Sequence, residues 1–222
     1  MTIHLGRFRH IAIEGPIGAG KTSLAKLLAP RIGAELMLER PGENPFLDRF
    51  YADMAGYAFQ TQLFFLFQRQ KQVQAIAQPS MFTNAVVADF MLGKDALFAK
   101  LTLGDEEYRL YSQMYAQVAS QVREPDLVIF LQASPETLLA RVRRRGIAME
   151  QRIELVYLRR LTDAYAEWFA HFDGAPVFAI DTEHFDPTTR AADLDALVER
   201  MESFEGRRAS FETATSPTAS LH

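Results

Sequence analysis

Apolar residues along this chain fall into two patterns. Short unbroken runs lie at 11–13, 34–39, 85–89, 126–132 and 176–180, each bounded by turn residues or by an acid. Runs of that length predict strands buried on both faces. Between them, apolar positions recur at intervals of three and four. They predict helices from about residue 20, at 46–51, 57–78, 92–101 and 105–122, from Ser134-Pro135 up to Gly146, at 153–172 and at 188–203. Strands alternating with helices predict an α/β fold, a central five-stranded parallel sheet flanked by helices. Residues 1–205 are expected to form a single domain. Residues 206–222, rich in Ser, Thr and Ala and without an apolar period, read as a disordered tail.

The segment 57–78 departs from simple amphipathicity. Its first half is apolar on most sides, which predicts deep burial, and Gln60, Leu63, Phe64 and Phe67 share one face. Composition adds bounds. With 222 residues, 48% hydrophobic and 23% charged, the chain can bury one full core. A net charge of −4 lacks the basic footprint of a nucleic-acid polymer binder. The absence of cysteine excludes disulfides and thiolate metal sites and fits a reducing compartment. The first ten residues lack a signal-peptide stretch and no apolar run reaches spanning length, so a soluble, cytoplasmic protein without a membrane partner is expected.

The chemistry begins where the first apolar run ends. Gly15-Pro16-Ile17-Gly18-Ala19-Gly20-Lys21-Thr22-Ser23 carries the spacing of a phosphate-binding loop. Glycines let backbone N–H groups wrap a polyphosphate, Lys21 reaches the terminal phosphates and the Thr22 hydroxyl can ligate Mg²⁺. The helix that follows aims its positive end at the same anion. The segment is read as the binding site of a nucleoside triphosphate, the alternative being an ordinary glycine-rich turn.

Ligands of a parallel sheet gather beyond the carboxyl ends of its strands, where the first three runs end in Gly15, Glu39 and Asp89. One carboxylate there can take the proton of an acceptor hydroxyl and another can hold Mg²⁺; either could equally be a loop acid. The Gln60 amide can pair with a base edge or with backbone. The run Arg141-Val-Arg-Arg-Arg145-Gly146 reads as a mobile cationic lid over a triphosphate or as a solvated face.

At this point the chain resembles the deoxynucleoside kinases, most closely their bacterial deoxyadenosine/deoxyguanosine branch, from residue 11 to about 181. The residues that carry the resemblance are Glu39-Arg-Pro, Asn44-Pro-Phe-Leu47, Phe50-Tyr51, Phe59-Gln60, Arg141 with Arg145, and Glu150 seven residues before Tyr157-Leu158. It implies a P-loop kinase fold with an arginine-rich lid. The implied reaction is transfer of the γ-phosphoryl group of ATP to the 5′-hydroxyl of a 2′-deoxynucleoside with Mg²⁺. Purines are preferred, deoxyadenosine first, and the 5′-monophosphate serves nucleotide salvage. Glu39 would be the base, assisted by Lys21, Arg141 and Arg145. Tyr51 and Glu150 would hold the 3′-hydroxyl, Gln60 the base with Leu63 and Phe67 beside it, and Phe98 would stack on it. Thr22 and Asp89 would hold the metal. A homodimer is implied, with the helix from Tyr57 in the contact. Two positions depart from the family pattern: Phe90 stands where an arginine is usual, with Lys94 one turn on as a candidate substitute, and Ile147 replaces a frequent lid arginine.

Two rival readings stay open. A nucleoside monophosphate kinase would need arginines for the acceptor's own phosphate, and 39–78 offers Arg40, Arg49 and Arg69. A nucleotide-dependent switch is suggested by Asp53-Met-Ala-Gly56, but no Asn-Lys-x-Asp guanine reader occurs.

Overall fold

In a computed structural model, which describes residues 7–76 and 85–211, β1 (His10–Glu14) runs through the middle of the molecule with all five residues buried. It pairs in parallel with β3 (Val86–Ala88) on one side and with β4 (Leu127–Gln132) on the other. β2 (Glu35–Met37) lies outside β3, and β5 (Val177–Asp181) outside β4. The register sets apolar side chains side by side on both faces of the sheet, Ile11↔Val87 and Ile13↔Ile129 on one and Ala12↔Val128 on the other. This is why the runs show no alternation.

Among the described residues the sheet has six strands, not five. β6 (Arg208–Phe211) pairs with β5 in parallel, giving the order β2-β3-β1-β4-β5-β6. The expected disordered tail therefore begins too early. Phe211 is buried against Phe178 and Phe185, and that contact draws 208–211 onto the sheet edge. One inward residue in a polar stretch leaves no period to detect. Residues 212–222 of that expectation lie outside the described residues.

The helices are α1 (Lys21–Ile32), α2 (Leu47–Ala52), α3 (Met54–Ile76), α4 (Lys94–Thr102), α5 (Asp105–Ala119), α6 (Pro135–Arg145), α7 (Leu155–His171) and α8 (Ala191–Glu202). Ser134 caps α6 by accepting from the Thr137 N–H, Pro135 opens its first turn, and Gly146 closes it with φ 71°. Asp53 and Gly56 have a local use: the Gly56 N–H donates to the Asp53 carboxylate at the start of α3. That resolves the switch-like Asp-x-x-Gly as a helix-start contact.

α3 is turned differently from the expectation of deep burial. Its inward face carries Ala58, Thr61, Gln62, Phe65, Leu66, Arg69 and Val73, while Phe67 is 42% exposed. In a helix apolar nearly all round, hydrophobicity alone does not say which stripe faces in; Thr61, Gln62 and Arg69 face inward, where Arg69 pairs with Glu39 and Asp95. The end of the predicted helix at 77–78 lies outside the described residues.

At the opposite end of β1, the Asp126 carboxylate accepts from the N–H groups of Arg9 and His10. Burial lowers the His10 imidazole from 6.5 to about 4, against the attraction of Asp126. His10 is thus neutral when folded and takes a proton when unfolded as pH drops below 6.5. Its contribution is intact above 6.5 and is lost as pH falls toward 4. Urea denaturation should show this titration costing about 2 kcal/mol between pH 7 and pH 5. His10→Leu should lose that part of the pH dependence; an unchanged slope would remove His10 from the acid response.

Candidate active site

The loop from Gly15 to Gly20 is shaped by close approach. A Cβ on Gly15 would stand 2.4 Å from the Leu131 carbonyl oxygen, and one on Gly18 2.8 Å from that of Leu138. Both have positive φ, 152° and 88°, so glycine alone fits without displacing backbone. α1 begins without a side-chain cap, leaving its first N–H groups available to an anion. The Lys21 ammonium donates to the carbonyls of Gly15 (2.7 Å) and Pro16 (3.1 Å). Burial and the neighbouring Lys94 lower its pKa, and Glu14, Glu39 and Asp89 oppose them.

Two openings share this loop. The first, about 440 Å³, is bounded by Gly18 to Gly20, Ser23, Arg141, Arg144, Arg145 and the 182–188 loop. Arg141 is fixed in it, donating to the Thr182 hydroxyl (2.8 Å) and carbonyl (2.6 Å). Arg144 lines the same cleft, whereas Arg143 is tied to the carbonyls of Gln151 and Ile153 on the lid's outer side. The segment 182–188 escaped the sequence reading because a connecting loop has no periodicity.

The second opening, about 150 Å³, is enclosed by α2, α3, α4, α7 and the lid. It gathers Lys21, Thr22, Glu39, Tyr51, Asp89, Phe98, Arg145 and Glu150, all expected from the sequence. Asp89 sits between loop and acid. One carboxylate oxygen accepts from the Glu39 N–H at 2.7 Å, and the other meets the Thr22 hydroxyl. Burial by itself would raise the Glu39 pKa; Arg69, Lys94 and Lys21 outweigh it and bring the carboxyl down to about 2. Glu150 pairs with Arg145, and burial, with Tyr157 and Glu150 nearby, raises the Tyr51 phenol well above its usual value. Phe98 meets Tyr165 edge to face, with ring centroids 6.2 Å apart.

Gln60, Leu63 and Phe67 do not join them. Gln60 donates to the Gly56 carbonyl, and all three line a shallow apolar groove on the outside of α3 with Phe46 and Phe64. The cavity instead receives Thr61, Gln62, Phe65 and Arg69. A rotation of the assumed face by two residues separates the two sets. The available signal was the spacing Gln62-Arg69, seven residues apart on an otherwise apolar stripe. At this end of the cavity the Asp95 carboxylate binds Arg69, and Asp95 Oδ2, Arg69 Nε and Thr61 Oγ1 are buried without a hydrogen-bond partner among the described residues.

A phosphate-binding loop with a second cavity beside it, a carboxylate at their junction and an arginine, Arg145, facing both, suits transfer from an anchored polyphosphate to a hydroxyl. Comparison with known proteins agrees. The family model for deoxynucleoside kinase matches residues 11–204. The chain belongs to the deoxynucleoside kinase family. It is 37% identical over 156 residues to the deoxyguanosine kinase of Bacillus subtilis (strain 168), covering 70% of this chain and 75% of that one. It is 35% identical over 199 residues to the deoxyadenosine kinase of Dictyostelium discoideum, covering 86% and 80%. The structure of deoxyadenosine kinase from M. mycoides with dCMP and a flexible dCDP superposes with a TM-score of 0.77 at 26% identity, covering 88% of this chain and all of that one. Membership in this family makes the protein an ATP-dependent kinase, and the monophosphate-kinase and switch readings give way to it. No helix among the described residues is long and apolar enough to cross a membrane.

The two glutamines of α3 provide a test of this geometry. Gln62→Leu should lower kcat/KM for the nucleoside by about 1–3 kcal/mol, because polar atoms of a closed cavity lose a partner. Gln60→Leu should leave it unchanged. Steady-state kinetics with the nucleoside varied at saturating ATP reads the difference, and the reverse ranking would put the nucleoside on the outer face of α3.

Proposed function

We propose that the enzyme transfers the γ-phosphoryl group of ATP to the 5′-hydroxyl of a purine 2′-deoxynucleoside, deoxyadenosine first, releasing the 5′-monophosphate for nucleotide salvage. The observation that carries this reading is the position of Glu39. It lines the smaller cavity beside Lys21 and Thr22 of the phosphate loop, its N–H held by the same Asp89 that meets Thr22. ATP occupies the larger cleft, with its phosphates on the loop amides and Lys21, and its base between Arg141 and the 182–188 loop. The deoxynucleoside occupies the smaller cavity, with its base toward Gln62, Arg69 and Asp95, Phe98 beside it, and its sugar toward Tyr51 and Glu150. Glu39 takes the proton of the 5′-hydroxyl as that oxygen bonds to the γ-phosphorus, and the bond to the ADP oxygen breaks. Lys21 and Arg145 face the charge that develops on the transferring group.

The unpartnered atoms at the base end support the purine assignment. Asp95 Oδ2 can accept from an exocyclic or ring N–H, and Arg69 Nε and the Gln62 amide can serve ring acceptors. The relatives named for deoxyguanosine and deoxyadenosine point the same way. Thr22 and Asp89 fit Mg²⁺: they bring a hydroxyl and a carboxylate oxygen together beside the loop, hard donors of the kind this ion takes alongside substrate phosphates. When bound there it would neutralise charge on the β and γ phosphate oxygens. We also propose a cytoplasmic location, which the lack of cysteine suits, and a homodimer, as the family resemblance implies; the exposed stripe of α3 around Phe67 offers an apolar face for part of that contact.

A panel of deoxynucleosides and ribonucleosides with ATP and Mg²⁺ tests the assignment; preference for pyrimidines would overturn the purine reading, and phosphorylation of a nucleoside monophosphate in preference to nucleosides would overturn the acceptor class. The sugar gives a sharper test. Glu150→Ala and removal of the substrate 3′-hydroxyl should each cost about 1.5–3 kcal/mol in kcat/KM, the range for a hydrogen bond to a charged group. Combined, they should cost far less than the sum, because the second change removes a bond already lost. Strictly additive losses across the four enzyme–substrate pairs would detach Glu150 from the sugar.

A further inference from the structure

Lys94 stands where elementary electrostatics disfavours a cation. It is the first residue of α4, at the positive end of that helix, and its side chain is 4% exposed. Lys21 is a neighbour close enough for the two charges to disfavour each other. The packing leaves it little choice of place. A Cβ on Gly93 would come within 2.8 Å of the Trp168 indole, so α4 is held tightly on α7 and its first turn is driven into the smaller cavity. Burying an ammonium costs several kcal/mol unless it is paired.

Its pairing is specific. The ammonium lies 3.2 Å and 3.3 Å from the two carboxylate oxygens of Glu39, its recorded side-chain partner among the described residues. Arg69 also binds Glu39, but divides itself with Asp95 at the base end. A brace for the backbone is already present, since Asp89 holds the Glu39 N–H and Gln72 donates to the Leu38 carbonyl at 2.9 Å. What Lys94 holds is the carboxylate group itself.

We propose that Lys94 is the positioning residue of Glu39: it fixes the direction of that carboxylate and offsets its charge within the cavity while Arg69 is engaged with Asp95 and the acceptor's base. This rests on the reading of Glu39 as the group that takes the 5′-hydroxyl proton. Lys94 contributes to the rate of transfer and not to the binding of either substrate.

The test uses the full chain, with deoxyadenosine, ATP and Mg²⁺. Lys94→Met should lower kcat about 30- to 300-fold, while the Kd of deoxyadenosine and of ATP, from calorimetry, stays within about threefold. Lys94→Ala should regain about tenfold in kcat with added ethylammonium and nothing with ethanol, a response that a purely structural lysine would not give. Glu39→Gln with Lys94→Met should be no slower than Glu39→Gln alone, within about threefold. Lys94→Gln, which keeps a donor without the charge, replaces the methionine variant if melting shows that one unfolded, and is judged by the same ratio of kcat to Kd. A kcat within threefold of the parent, a loss that appears in Kd, or losses that multiply in the double variant would each overturn the proposal. If Glu39→Gln itself keeps full kcat, the base assignment fails and the proposal with it; an inactive Glu39→Gln beside a normal Lys94→Met would refute Lys94 alone.

Discussion

The two oxygens of Asp89 are the constraint on which the site depends. One holds the N–H of Glu39 at the end of β2, and the other meets the hydroxyl of Thr22 in the first turn of α1. Three chain segments that the sequence separates by tens of residues are thereby fixed to one carboxylate. A rigid sheet makes this possible, because β1, β2 and β3 are parallel neighbours and their carboxyl ends open to the same side. Under the proposed function, the distance between the group that takes a proton and the loop that carries phosphate is set before either substrate arrives, which is where positioning contributes most to phosphoryl transfer.

A second buried carboxylate performs the corresponding task for the loop. Glu14, fully buried, accepts from the N–H groups of Gly15 (2.9 Å) and Met91 (3.1 Å) and from the Tyr165 hydroxyl (2.9 Å). A carboxyl group that deep is tolerated because fixed donors occupy its lone pairs. Tyr165 also lines the smaller cavity and meets Phe98, so one side chain belongs both to the wall of that cavity and to the support of the loop.

Charge in the smaller cavity is dense and matched. Lys21, Arg69, Lys94 and Arg145 line it with Glu39, Asp89 and Glu150, and Arg69 pairs in addition with the buried Asp95. Such matching keeps several buried ions tolerable without substrate, and the proposed substrates exchange partners with them instead of entering an apolar slot. Arg145 faces both openings while paired with Glu150, the arrangement expected if occupancy of the sugar end and placement of the lid are linked.

The phosphate loop, the strand–helix alternation and the acids at the ends of the second and third strands were legible in the sequence, since each depends on local spacing. Steric demand at Gly15 and Gly18 and unbroken apolar runs leave their mark within a few residues. Long-range contacts leave none. The sixth strand is held where Phe211 meets Phe178 of β5 and Phe185 of the loop after it, a match between residues distant in the chain. The orientation of α3 was decided by tertiary packing as well: with apolar residues on most sides, its periodicity allowed either face inward. The pairing of Arg69 with Asp95 and Glu39 accompanied the inward turn of Gln62 in place of Gln60. Lys94 shows the same division. Its presence four residues after Phe90 is in the sequence, but its ion pair with Glu39 follows from the packing of α4 on α7, which no local pattern encodes.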